Sequence, residues 1–210
     1  MFLAIERSSA VASAALYSED RKLLASVRDP VRGQGDAYPL VCRVLEAAAV
    51  KPADLTAFAV GIGPGSFSGV RAALALARGL AAANGLPVAG VNTAAAMARR
   101  YRSDHPESAP IRVLGDARRG HLWLFEEPAD YKSLHHTSQD IRLLDRATFA
   151  PEAGVVYLLA DPERLAGVVD GVSAEVFAED IAALAFEGCT GPADPVYLHP
   201  AVVGTVTSEV

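Results

Sequence analysis

Short apolar runs separated by polar turns open the chain. Residues 2–5 are apolar, Glu6-Arg7-Ser8-Ser9 is a polar turn, and residues 10–17 and 22–28 alternate or run apolar around Ser18-Glu19-Asp20-Arg21. This pattern predicts three antiparallel strands. Asp36 stands where it can cap a helix carrying Tyr38, Val41, Leu45 and Ala48 on one face and ending before Pro52. A strand at 56–62, an apolar helix at 70–82, a strand at 87–91 and a helix from Asn92–Thr93 to Tyr101 follow. Three strands and then βαβ crossovers give a mixed sheet with helices on its faces.

The stretch 103–110, with Pro106 and Pro110, reads as a linker that divides the chain into lobes at 1–104 and 105–210. Beyond it the pattern restarts: a strand at 111–115, a turn at 116–120 holding Asp116, and a strand at 121–125. Strand, acidic turn, strand repeats the opening, as a two-lobed fold with a duplicated core would. Strands at 141–144 and 155–160, helices at 162–169 and 180–187, and an extended segment at 195–198 complete the second half.

The densest signal is Gly61-Ile62-Gly63-Pro64-Gly65-Ser66-Phe67-Ser68-Gly69-Val70-Arg71, running directly into the apolar helix. Glycine and proline at this density fix a sharp path that excludes side chains. Ser66 or Ser68 can cap the first helical turn. A nucleotide phosphate loop needs a Gly-Lys-Ser/Thr ending, and no lysine is present. The dinucleotide fingerprint fails as well, because serine falls at its third glycine position in either register. On composition, the turn reads as a strand-to-helix connection packed against a neighbouring backbone.

Along the helix, Val70, Leu74, Ala77 and Ala81 line one side, Ala73, Leu76 and Leu80 another, and only Arg71 and Arg78 carry charge. A helix apolar almost all round must be covered on most sides. The sheet covers one; the other requires a second helix or another protein. Tyr38, Val41, Leu45, Leu74 and Arg78 are the expected members of such a contact.

With 51% hydrophobic and 21% charged residues in 210, the chain has material for a core and no signature of disorder. A net charge of −6 disfavours unaided nucleic-acid binding. Basic runs stand at Arg99-Arg100-Tyr101-Arg102 and Arg118-Arg119; the first closes the helix that begins near Asn92 and Thr93, where positive charge offsets the dipole, a reading favoured over tRNA contact. Cys42 and Cys189 are isolated, Cys42 reading as a core residue, and there is neither a signal peptide nor a membrane-length apolar run, so the expected location is the cytoplasm. None of the five histidines pairs at a metal-binding spacing, and His135-His136 reads as solvated. The Glu6 turn carries an acid, as nucleotide folds do, but lacks their glycine. No catalytic, metal or cofactor-binding residue is identifiable.

The glycine motif resembles the signature of the TsaB family, also called YeaZ, which usually reads Gly-Pro-Gly-Ser-Phe-Thr-Gly-Leu-Arg. Ala4-Ile5-Glu6-Arg7-Ser8 stands where that family tends to have Ala-Ile-Asp-Thr-Ser, and Leu86-Pro87-Val88-Ala89-Gly90-Val91 follows its pattern after the signature helix. Asp116-Ala117-Arg118-Arg119-Gly120 and Pro195-Val196-Tyr197-Leu198 match its later motifs. The resemblance implies a two-lobed α/β fold of the actin, sugar-kinase and Hsp70 type, which is RNase H-like, with mixed sheets flanked by helices. It implies a non-catalytic subunit that binds a TsaD-like transferase, with which it forms a heterodimer, and recruits a TsaE-like ATPase to make threonylcarbamoyladenosine beside the tRNA anticodon. Homodimers without the partner, tRNA contact only through the complex, ATP or ADP only at a subunit junction, and no membrane association follow from it. The rival reading is an active two-lobed ATP-dependent enzyme, kinase or peptidase-like. The family often has His-Ser-Glu where Gln34-Gly35-Asp36 stands here.

Overall fold

The computed structural model describes residues 1–29, 37–106 and 109–199; Gln34, Gly35 and the Asp36 cap lie outside them, as does the tail from 200. β1 (Phe2–Glu6), β2 (Ala12–Tyr17) and β3 (Leu23–Asp29) form the expected antiparallel meander, and α1 (Ala37–Ala47) follows. β4 (Ala57–Gly61), α2 (Phe67–Ala82), β5 (Val88–Val91) and α3 (Thr93–Asp104) complete the first half. The second half contains β6 (Ile111–Arg118), β7 (His121–Glu126), β8 (Arg142–Asp145), β9 (Val156–Leu159), α4 (Pro162–Leu165), β10 (Val172–Ser173) and α5 (Ala178–Phe186).

Two five-stranded sheets result, ordered β3-β2-β1-β4-β5 and β10-β9-β6-β7-β8. Counted within each half, both orders are 3-2-1-4-5. In each sheet the first three strands run antiparallel and the crossover strands run parallel to the first. This duplication is the two-lobed RNase H-like architecture anticipated from sequence.

Alternation along the strands sorts the core. Leu3 and Ile5 of β1, Ala14 and Leu16 of β2, and Phe58 and Val60 of β4 face α1 and α2. The opposite face presents Ala4, Ala15 and Tyr17 to Ala178 and Ala182 of α5. Small residues on that face let α5 lie close on the first sheet, and the Ala178 amide donates to the buried Ser13 hydroxyl at 2.8 Å. Phe2, Tyr17 and Phe186 close the contact as an aromatic cluster, with centroids 4.8 to 6.4 Å apart. Between the sheets, Ala94 to Ala98 of α3 pack with Val113, Trp123 and Phe125 of the second sheet and with Ile181 and Leu184 of α5.

Several expectations are corrected. Val41, Leu45 and Leu74 lie in the chain's own core, because the inner faces of α1 and α2 cover β1, β2 and β4. Of the proposed contact residues, Tyr38 and Arg78 remain exposed. Cys42 is half-buried, whereas Cys189 is the core cysteine. The helix expected at 162–169 lasts four residues, and Gly167 beyond it is left-handed at φ +74°. The segment 195–198, expected only to be extended, is tied to the first sheet where the Val196 amide donates to the Ile62 carbonyl at 2.9 Å.

Candidate functional site

The glycine turn, the β1–β2 turn and the start of α3 meet at one point. Gly61, Gly65 and Gly69 each answer a close approach. A Cβ on Gly69 would collide with the Arg7 carbonyl oxygen, one on Gly65 with the Ser8 carbonyl, and one on Gly61 with the Glu6 carboxylate. The Ser66 amide donates to the Ser8 carbonyl at 2.7 Å. Ser66 rather than Ser68 caps α2, accepting from the Gly69 amide at 3.2 Å. Gly63 adopts φ +90° ahead of a cis bond to Pro64. The turn is filled by its own chain, as a backbone packing element would be.

Glu6 lies fully buried at the centre. Its Oε1 accepts from the Ser8 amide, from the Ser8 hydroxyl at 2.6 Å and from the Ser9 amide at 3.2 Å. The Thr93 hydroxyl donates to Oε2 at 3.1 Å and accepts from the Gly63 amide at 3.1 Å. Burial pushes this carboxyl above its ordinary 4.5, against the downward pull of the donors. Thr93 also anchors the turn through its amide, which donates to the Gly63 carbonyl at 2.9 Å.

The expected solvated pair His135-His136 divides. His135 is exposed, but His136 is 1% exposed and accepts the Asn92 amide on Nδ1 at 3.0 Å. Its buried Nε2 has no hydrogen-bond partner among the described residues, and burial pulls its pKa below 6.5. Nothing in the sequence marked this residue except Gly191, whose absent side chain leaves room for His135 and His136.

A cleft of about 1370 Å³ separates the sheets. Ser8, Ser9 and residues 62–68 form one wall; Asp116, Arg118, Arg119 and Arg164 form the other. Asp116 pairs with Arg118 at 3.3 Å, Arg164 at 3.6 Å and Arg146 at 3.9 Å. Phe67 and Tyr197, both more than half exposed, meet at the rim at 5.9 Å, and the Arg71 guanidinium lies 5.0 Å from the Phe67 ring. Arg99, Arg100 and Arg102 are engaged by Glu187, Asp180 and Glu127, so this basic run ties α3 to the second half. Among the described residues, no three His, Cys, Asp or Glu side chains are grouped to hold a metal, and no helix is long and apolar enough to cross a membrane.

On the outer side of the first half, Ala75, Gly79 and Ala82 of α2 are exposed in one row beside Arg78. Arg78 is held at 2.6 Å by both the Ala193 carbonyl and Asp194. Tyr38 stands out from α1 with 62% exposure.

Residues 36–157 match the family model described as TsaD: tRNA N6-adenosine threonylcarbamoyltransferase. The chain is 32% identical over 137 residues to the tRNA threonylcarbamoyladenosine biosynthesis protein TsaB of Escherichia coli, covering 64% of this chain and 58% of that one. It is 37% identical over 111 residues to a tRNA N6-adenosine threonylcarbamoyltransferase of Paracoccus denitrificans, covering 43% of this chain and 30% of that protein. The matched segments thus span little more than half of the TsaB relative and under a third of the transferase. In fold, the chain resembles YeaZ from Pseudomonas aeruginosa, with a TM-score of 0.72 at 23% identity over 94% of this chain and 99% of that one.

Proposed function

The chain belongs to the TsaB (YeaZ) proteins of the TsaD family, and on that premise we propose that it is a non-catalytic subunit in threonylcarbamoyladenosine modification of tRNA. It binds a TsaD-like transferase as a heterodimer and helps recruit a TsaE-like ATPase. tRNA is reached only through the complex, and ATP or ADP lodges only at a subunit junction. The observation that carries this reading is the glycine turn, where Gly65 and Gly69 are spent on the Ser8 and Arg7 carbonyls and the acid of β1 is enclosed by its own turn. No open backbone cradle remains there for a phosphate. The exposed row Ala75, Gly79 and Ala82, flanked by Arg78 and Tyr38, supports docking through the outer side of α1 and α2, since small side chains permit close helix approach.

Co-expression with TsaD-like and TsaE-like chains, followed by size-exclusion chromatography, tests the partnership. Ala75→Arg should abolish co-elution with the TsaD-like chain while leaving Tm unchanged; retained binding would move the docking face elsewhere. In a threonylcarbamoyl-transfer assay the chain alone should be inactive, and turnover without a partner would overturn the reading.

The arginine-lined cleft favours a second reading, an ATP-dependent enzyme of kinase or peptidase type. Calorimetry with ATP and magnesium separates the two. A low-micromolar site on the isolated chain supports the enzyme.

A further inference from the structure

We propose that the Glu6 side chain is the resident ligand of an anion cradle: a tethered carboxylate occupies the place that a phosphate from solution would take, and so closes this lobe to one. Two consecutive amides, those of Ser8 and Ser9, converge on a single oxygen, as amides do in anion-binding nests. The Ser8 hydroxyl joins them, and the Thr93 hydroxyl reaches the second oxygen. Thr93 Oγ1 also accepts from the Gly63 amide and lies 2.9 Å from the Ser8 hydroxyl, so both hydroxyls and the carboxylate share one network. Every partner is a neutral donor. The absence of a side chain at Gly61 reserves the space into which Oε2 projects. Ser8 and Ser9 line the cleft, which gives an ion from solution a route to the same amides.

Glu6→Ala removes Cγ and the carboxylate, which together amount to acetate. The variant should melt below the wild-type protein. Sodium acetate, compared with sodium chloride at equal ionic strength, should then raise its Tm saturably by about 3 °C, as a ligand that binds only the folded state does. Inorganic phosphate should do the same to a smaller extent. The wild-type protein, its cradle filled, and Val60→Ala, a core variant destabilised elsewhere, should show no acetate-specific rise. If Glu6→Ala does not fold in chloride, refolding from denaturant in acetate is the same test, and recovery there alone supports the cradle. An equal response of Glu6→Ala and Val60→Ala, a matching response of the wild type, or no recovery in either anion would overturn the proposal. An acetate response that phosphate does not reproduce would overturn the claim that the carboxylate stands in a phosphate's place.

Discussion

The two sheets share one strand order yet are dressed differently. The first carries α1, eleven residues long, between its third and fourth strands, and α2, sixteen residues long, between its fourth and fifth. In the second, those places are taken by a helix-free connection from Arg146 to Val155 and by the four-residue α4. The acids at the ends of the two central strands differ in the same way. Glu6 is enclosed and satisfied by neutral donors, while Asp116 faces the cleft among three arginines. A duplicated topology therefore fixes where an acid stands but leaves its chemistry to the neighbouring turn. In the first half that turn is locked against glycine-rich backbone. In the second it is a tight hairpin in which Arg118 and Arg119 both take positive φ.

The contrast breaks most severely if the helix-covered half is opened. Leu74→Glu places a charge among Leu3, Ile5 and Phe58, and should cost about 5 kcal/mol, on the order of the whole stability of a domain. Circular dichroism should show an unfolded chain rather than a folded monomer; a folded, soluble variant would mean that α2 lies loosely on its sheet.

A glycine pair sharpens the difference between the turns. Gly69→Ala puts a better helix former inside α2, so propensity alone predicts stabilisation. The collision with the Arg7 carbonyl reverses the sign, and denaturant titration should give a loss of about 3 kcal/mol. Gly120→Ala meets no atom of the described residues within 4 Å and bears the strain of φ +78°, so it should lose about 1 kcal/mol. Equal losses would erase the distinction between a locked turn and an open hairpin.

Asp116→Ala releases Arg118, Arg146 and Arg164 toward the cleft. The stability change should stay below about 1 kcal/mol, because the Arg118, Arg164 and Arg146 side chains are 60%, 49% and 35% exposed and their pairing is screened by solvent. Retention on a polyphosphate matrix should rise and fall back with added salt. Unchanged retention would show that the arginines do not act on the cleft.

The smallest effect concerns the contact between the halves at His136. Its folded pKa is lowered, so the unfolded chain takes up a proton first as pH falls below 6.5. The contribution of the neutral ring is intact above pH 6.5 and is lost as pH falls from there toward the folded value. His136→Phe should flatten the stability profile over that window, and NMR should find this ring titrating below 6.5. An ordinary titration would mean that the ring is not enclosed.

Much of this fold was legible because strands and caps are local. The meander, the restart after residue 110 and the Asn92 start of α3 all follow from alternation and end signals, and Asn92 does cap α3 by accepting from the Ala94 and Ala95 amides. The close-packed glycine turn was legible too, since three glycines so near a proline leave few other uses. What escaped depends on contacts far apart in sequence. Leu74 and Val41 sit on apolar helix faces that a partner or the chain's own sheet could cover equally well, and only the sheet's position decides between them. Thr93 and Ser8 are ordinary polar residues until an acid is buried between them. His136 is buried against Gly191, whose backbone pairs with that of Gly90 across more than a hundred residues.

The placement of α5 on the first sheet has a consequence for how the protein is made. During synthesis from the N-terminus, the sheet face formed by Ala4, Ala15 and Tyr17 stays uncovered until residues 178–186 leave the ribosome. The first half cannot finish folding ahead of the second; both must close together, through contacts of long sequence separation that fold slowly. A ribosome-bound fragment ending near residue 170 should accordingly bind hydrophobic dyes or chaperones along that face, and release them once α5 has been translated.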